Sequence, residues 1–322
     1  MIDREQIRRI LMIVVFVVSI FVLVVFSKYE PKEKEAKKVS LIVYGSDVRR
    51  WENLMQGAEL AAGECGASVS LVTINSENDY ADQIEKIKRE VENGADALMI
   101  AAADSARIGE FIDSAKIKIP VVFVETGIIS KDEQICISAP NYDMGYALGK
   151  EICEKENPIV KVAIVSDGTQ RNSISERERG VRDAITDYAG SVVTWQRNQN
   201  EENLLPRVFL QRELVSEAVD VIVTLDNTMS ESMMDALNNL IKTSKVYSVS
   251  TSQQSVYYLD QKKIKALTYQ SEFGIGYIGA KYVLDRRNAQ KKYSKENILF
   301  RVIDKDEMYD YDNQTLLFPF VK

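Results

Sequence analysis

The side chains that most often carry catalysis are thinly represented in this 322-residue chain. It holds no histidine, so the commonest general base and the commonest transition-metal ligand are both missing. Hydrolysis by a Ser–His or Cys–His pair is excluded. Its three cysteines, Cys65, Cys136 and Cys153, are odd in number and lack CxxC spacing. They are expected to be small buried hydrophobes, not a disulfide framework or a zinc site. Asp and Glu residues at the ends of apolar runs could trade protons, yet no nucleophile motif, P-loop or GxGxxG accompanies them. The expectation is a binding protein and not an enzyme, with no cofactor and no metal. A formal net charge of -7 argues against nucleic acid, because neutralising phosphates needs a basic surface.

Such residues need a scaffold, and the first element of it is apolar. From Ile10 to Phe26 no charge interrupts the chain, a length that crosses a bilayer as one helix. Arg8 and Arg9 precede it and set the N-terminus inside, although Lys28, Lys32 and Lys34 beyond it weaken the contrast. Phe26-Ser27-Lys28-Tyr29 offers no small-residue cleavage site, so an uncleaved anchor is expected over a removed signal. The expected order is a cytoplasmic N-terminus at 1–9, a transmembrane anchor or signal at 10–27, and a charged linker at 28–38 that extends and holds the rest off the membrane.

Beyond residue 38, short apolar runs alternate with amphipathic ones. Val39–Tyr44, Ser68–Ile74, Ala97–Ala101 and Val121–Val124 read as strands, and Trp51–Cys65 and Tyr80–Asn93 as helices, with Gly94 where a helix C-cap belongs. The pattern restarts after 140 with Gly145–Lys155, Val160–Val165, Glu176–Tyr188 and Val219–Thr224, followed by Met229–Ile241 and Phe273–Leu284. Alternation of this kind predicts βα units and parallel sheets. Two successive sets predict an α/β chain of two doubly wound, Rossmann-like lobes with a cleft at the carboxyl ends of both sheets. Breaks in the pattern at Ala139–Asn141, at Gln270–Glu272 and near Ile298 mark three hinge crossovers. One lobe is expected to comprise 39–140 plus 271–298, the other 141–270 plus 299–322.

Six segments, in this order, carry a resemblance: MQGAELAAGECGASVSL, ENGADALMIAAADS with IKIPVVFVET, ISAPNYDMGYALG, SERERGVRDAI, VIVTLDNTMSESMMDAL and LTYQSEFGIGYIGAKYVLD. Together they resemble the type I periplasmic binding proteins of the ribose and galactose class, relatives of LacI-type effector domains, over nearly all of Val39–Lys322. The resemblance implies that hinge closure traps a sugar-like ligand between the lobes. It places Arg50 and Trp51 where a sugar face is stacked, Trp51 being a core anchor in the alternative, and Glu125 with Thr126 where hydroxyls are gripped, unless Glu125 and Arg177 pair with each other as a structural ion pair. Arg177 of the RERG run matches a family arginine. Asp226 and Asn227 stand where an asparagine–aspartate pair is usual, in swapped order, and both could instead cap the following helix. Ser250 stands where an aspartate is expected, Gln270 matches a family glutamine, and Asn141 is a hinge or cap residue. Departures at Arg50, Thr126 and Ser250 put a plain pentose or hexose in doubt and tilt the reading toward an anionic or oxygen-rich ligand. The expected role is an extracytoplasmic solute-binding protein on the outer face of the bacterial cell membrane, serving an ABC permease. The alternative is a tethered ligand sensor for a sensor kinase or chemoreceptor.

Overall fold

The computed structural model describes residues 3–28, 36–197, 204–238, 244–285 and 298–318. The chain divides into two units, Met1–Ala36 and Lys37–Lys322. The first contains α1, Arg4–Lys28. Leu11, Phe16, Phe21 and Leu23 are among its large apolar side chains left exposed, each by more than half. Judged on the described residues, no helix of the protein is long and apolar enough to cross a membrane. Most of the expected 28–38 linker lies outside the described residues. Lys37 and Lys38 do not belong to it: they open the first strand, where the Lys38 N–H donates to Asp96 Oδ2 at 2.8 Å and the Asp96 N–H returns a bond to the Lys38 carbonyl.

In the second unit, the first lobe runs β1 (Lys37–Ile42), a short 3-10 helix (Val48–Trp51), α2 (Glu52–Glu64), β2 (Ala67–Val72), α3 (Tyr80–Glu92), β3 (Ala97–Ile100), α4 (Ser105–Ala115), β4 (Val121–Val124) and β5 (Cys136–Ile137). Its sheet has the order β2-β1-β3-β4-β5, all parallel. Strand β3 is buried along its whole length and β4 at every residue but Val121, as strands covered by helices on both faces must be. Gly94 takes φ +82° after α3, the left-handed turn that ends a helix without a Cβ clash.

The second lobe runs α5 (Asn141–Lys155), β6 (Lys161–Ser166), α6 (Asn172–Ile185), β7 (Ser191–Gln196), α7 (Pro206–Ser216), β8 (Val221–Thr224), α8 (Asn227–Leu237), β9 (Lys245–Val249), α9 (Gln253–Asp260) and β10 (Ile264–Gln270). Then α10 (Glu272–Leu284) returns to the first lobe, and β11 (Phe300–Asp304) and α11 (Tyr311–Leu317) complete the second. The sheet order is β11-β10-β9-β8-β6-β7, parallel except for the edge strand β11, which runs antiparallel to β10. The expected strand at Ile298–Val302 therefore begins at Phe300. The tail of the Met229–Ile241 helix and much of the return segment near 290 lie outside the described residues.

Two helices begin earlier than periodicity indicates. Helix α5 starts at Asn141 because Pro140, with its fixed φ, occupies the N-cap. Helix α6 starts at Asn172, four residues before its apolar stripe, for a reason that lies on the other lobe and is described below. Each lobe also holds one glycine-mediated helix pair. In the first, a Cβ on Gly57 of α2 would stand 2.1 Å from the Phe273 carbonyl oxygen of α10. In the second, a Cβ on Gly180 of α6 would stand 2.1 Å from the Tyr142 carbonyl oxygen of α5. The three cysteines are free but half-buried, not sealed in the core as expected.

Candidate functional site

In each sheet the strand order reverses once, and crevices in open α/β sheets form where it does, at the carboxyl ends of the strands. In the first lobe the reversal lies between β1 and β3, in the second between β6 and β8. Tyr44 follows β1 and Glu125 follows β4; Arg171 follows β6, Asp226 follows β8, and Ser250 and Thr251 follow β9. These residues meet in the cleft between the lobes.

The densest part of the site centres on Arg50. Its Nη2 donates to Glu125 Oε1 at 2.6 Å and to the Tyr44 hydroxyl at 3.1 Å, and its Nη1 donates to Glu272 Oε1 at 2.5 Å. The Tyr44 hydroxyl in turn donates to Glu125 Oε2 at 2.7 Å. Burial alone lowers an arginine pKa, but here the Glu125 and Glu272 carboxylates and the Tyr44 hydroxyl overcome it and hold Arg50 firmly cationic. Burial likewise raises Glu125, and Arg50 and Arg177 reverse the effect, holding that carboxyl below its ordinary range. Glu272 goes the other way: burial, reinforced by the Glu125 charge, raises it despite Arg50. Two carboxylates thus already answer the Arg50 guanidinium, which removes the reason for an anionic ligand drawn from the arginine alone.

Trp51 lies in the core at 1% exposure, its ring edge-on to Tyr44 with centroids 4.8 Å apart. Its indole N–H donates to the Tyr44 carbonyl at 3.2 Å, and the Arg50 guanidinium covers its ring at 4.5 Å. Trp51 therefore supports the cluster from beneath, and the aromatic face turned to the cleft belongs to Tyr44. Glu125 has φ +63°, a left-handed conformation that costs a non-glycine residue about 1 kcal/mol or more and tends to mark functional sites.

Arg177 is buried without a carboxylate partner in direct contact. Its Nε donates to Asn141 Oδ1 at 2.8 Å and its Nη1 to the Leu225 carbonyl at 2.9 Å, and burial lowers its pKa. Asn141 also donates to the Ser138 hydroxyl at 2.9 Å, while Gln270 Oε1 accepts the Ala139 N–H at 3.4 Å. Asn141 and Gln270 thereby tie two of the segments that cross between lobes. Asp226 caps α8 by accepting the Met229 N–H at 2.8 Å, as the capping alternative expects, and also accepts from Arg171 at 3.2 Å. Asn227 accepts from the Ser250 hydroxyl at 3.0 Å and from the Thr251 N–H at 2.9 Å.

Thr126 is fully buried, and its hydroxyl accepts the Ser173 N–H at 3.4 Å; the Ser105 hydroxyl accepts the Asn172 N–H at 2.9 Å. Helix α6 has no side-chain cap of its own at Arg171. Its first turn is satisfied by hydroxyls from the other lobe, and this is why it extends back to Asn172.

Sequence reasoning missed Tyr44, Glu77, Ser105, Asp167, Arg171, Thr251 and Glu272. Strand-end position could have flagged Tyr44 and Asp167; nothing local marks Glu77 or Arg171. Burial, with the Asp226 and Glu77 charges, pushes Asp167 up to about 6 although Arg197 donates to it. Among the described residues no group of His, Cys, Asp and Glu could hold a metal ion.

The family model for the periplasmic binding protein domain matches residues 39–291. The ribose import binding protein RbsB of Bacillus subtilis (strain 168) is 22% identical over 246 residues, 75% of this chain and 80% of that protein. The solute binding protein of an ABC transporter from Agrobacterium vitis, solved with bound D-fucose, superposes with a TM-score of 0.78 at 18% identity, covering 87% of this chain and all of that one. The XylFII–LytSN complex contains a chain with a TM-score of 0.71 at 19% identity, covering 84% of this chain and 99% of that one.

Proposed function

This chain belongs to the periplasmic binding protein family, and from that premise we propose that it is an extracytoplasmic solute-binding protein that closes around a sugar or sugar derivative and serves an ABC transporter. The observation that carries the reading is the convergence of Tyr44, Glu125 and Arg177 on one cleft between two lobes. An aromatic face for a sugar ring, a carboxylate for hydroxyl donors and a guanidinium for hydroxyl oxygens are the three contacts a neutral polyol needs. The bound sugars of structural relatives, D-fucose among them, agree with that chemistry. Of the described residues, 37–140 with 271–285 form one lobe and 141–270 with 299–318 the other. Ligand contacts from both shift the population toward the closed form.

We infer from the uncharged run 10–26 that the N-terminal segment anchors the domain to the cytoplasmic membrane with its N-terminus inside, although no helix judged on its described residues alone is long and apolar enough to cross a membrane. Support comes from the uncharged run 10–26 and from its exposed apolar side chains, which water would not favour. A tethered ligand sensor is the second reading, favoured by that anchor and by the relative found in complex with LytSN.

A thermal-shift screen of the full chain in mild detergent against monosaccharides, sugar acids, nucleosides and amino acids tests the proposal, since a ligand of the folded state raises the melting temperature. A sugar hit lost in Arg177→Ala supports it. A screen with no hit, on a protein that melts cooperatively, refutes it.

A further inference from the structure

The solute-binding reading has no use for Arg171. This residue lies on the loop after β6, immediately before α6, and 2% of it is exposed. A guanidinium so deeply removed from water persists only where charge and hydrogen bonds replace the water. Its Cζ stands 4.1 Å from the centroid of the Tyr44 ring, its Nη2 donates to Asp226 Oδ2 at 3.2 Å and approaches Glu77 Oε2 at 3.5 Å, and its Nε approaches the Thr169 hydroxyl at 3.5 Å. Tyr44 and Glu77 belong to the first lobe; Arg171 and Asp226 belong to the second. Glu77 reinforces the bridge by accepting from the Thr228 hydroxyl at 2.6 Å. A flat cation therefore lies on an aromatic face between carboxylates of opposite lobes, the way a protein holds a bound planar ligand.

We propose that the Arg171 side chain is a tethered occupant of the cleft, filling the Tyr44 face and bridging the lobes until a ligand displaces it. The displacement step rests on the solute-binding reading above; the occupancy does not. A group tethered on the same chain competes at a high effective concentration, so it lowers the apparent affinity of any free ligand for that face. Its departure uncovers Glu77 and Asp226, and only a ligand that donates hydrogen bonds to both repays the exchange. The class selected is a neutral polyol or an amino-bearing sugar, and sugar acids are rejected because they set a carboxylate against these two.

The test uses the full chain in mild detergent, with intrinsic fluorescence from Trp51, adjacent to Tyr44, and melting temperature as readouts. The probe for occupancy is methylguanidinium at millimolar concentration, with sodium chloride as the ionic-strength control. Arg171→Ala is expected to melt several degrees below the parent and to regain most of that loss saturably with the probe. The parent and the double variant Arg171→Ala with Asp226→Asn are expected not to respond. A response of Arg171→Ala no larger than the parent's overturns the occupancy. Arg171→Gln, which keeps the aliphatic stem without the cation, replaces Arg171→Ala if the latter does not fold.

For displacement, the probes are neutral monosaccharides and sugar acids. Arg171→Ala is expected to bind the preferred neutral sugar about tenfold more tightly than the parent, and equal or weaker binding overturns displacement. Thr169→Val, which removes the hydroxyl that Arg171 Nε approaches and leaves Glu77 and Asp226 intact, is expected to shift binding in the same direction by a smaller factor; no shift counts against the proposal even if both Arg171 variants fail to fold. Recovery with methylguanidinium when neither protein binds any sugar sinks the solute-binding reading and upholds the occupancy.

Discussion

The Ser105 hydroxyl on one lobe accepts the backbone N–H of Asn172, the first residue of helix α6 on the other, at 2.9 Å. Thr126 does the same for Ser173. A helix begun by one lobe is thus capped by its partner, and the cap exists only while the lobes are together. Closure carries a contribution from helix capping in addition to the ion pairs of the cleft.

Removing that cap tests the contribution. Ser105→Ala and Thr126→Ala are each expected to destabilise the closed arrangement by about 1 kcal/mol, the usual value of a lost N-cap. The paired change is expected to enlarge the radius of gyration in small-angle X-ray scattering of the detergent-solubilised chain, corrected for the micelle. A cooperative melt at the parent temperature with an unchanged scattering curve would show that the interlobe caps carry no weight.

Backbone strain at Glu125 gives a second measurement. Glu125→Ala and Glu125→Gly both delete the carboxylate that meets Arg50 and Tyr44, and both are expected to weaken sugar binding by about a hundredfold, the cost of losing a charged acceptor for the ligand's hydroxyls. They differ in what the φ +63° at this position costs them. The glycine variant is expected to be more stable than the alanine variant by about 1 kcal/mol, read from urea titrations.

Asp167 predicts a pH signature. Its folded pKa of about 6 lies above the ordinary 3.8, so between those values the folded protein binds more protons than the unfolded chain. Stability contributed by this group is full below about pH 4 and is lost as pH rises through 6. Asp167→Asn, still able to accept from Arg197, is expected to remove that slope. The stability difference between variant and parent should move in the variant's favour by on the order of 2 kcal/mol from pH 4 to pH 7. A difference that stays flat over this range contradicts the assignment.

The helix pairs give a packing prediction for each lobe. A Cβ at Gly57 meets backbone of α10, and one at Gly180 meets backbone of α5. Neither neighbour is a side chain that can rotate away. Each glycine-to-alanine change is expected to cost about 3 kcal/mol, the upper part of the range for overpacking. Gly63→Ala, whose Cβ meets nothing, is the control and is expected to leave the melt unchanged or to raise it slightly.

What the chain's sequence determined alone is its local and periodic content. Apolar runs of four to six residues with flanking helical stripes dictate parallel strands covered on both faces, because such a strand satisfies its polar backbone only within a sheet and its apolar faces only under helices. The absence of histidine ruled out whole classes of chemistry before any fold was known, and the six ordered segments were enough to mark out the cleft and to nominate Arg50, Glu125, Arg177 and Asp226. Tertiary structure decided the partners. Whether Arg50 faces a ligand or two carboxylates depends on Glu272, which lies 222 residues away and reaches it only because the chain crosses back to the first lobe. Trp51 lies beneath the site and Tyr44 in it because strand β1 ends where it does against the 3-10 helix, a matter of a few residues that alternation cannot resolve. Arg171 stands out from the other arginines only when Tyr44, Glu77 and Asp226 are brought around it from three separate strand ends. Electrostatic energy varies with distance and burial, not with position along the chain; the types of charge in this cleft were therefore legible in sequence, and their pairing was not.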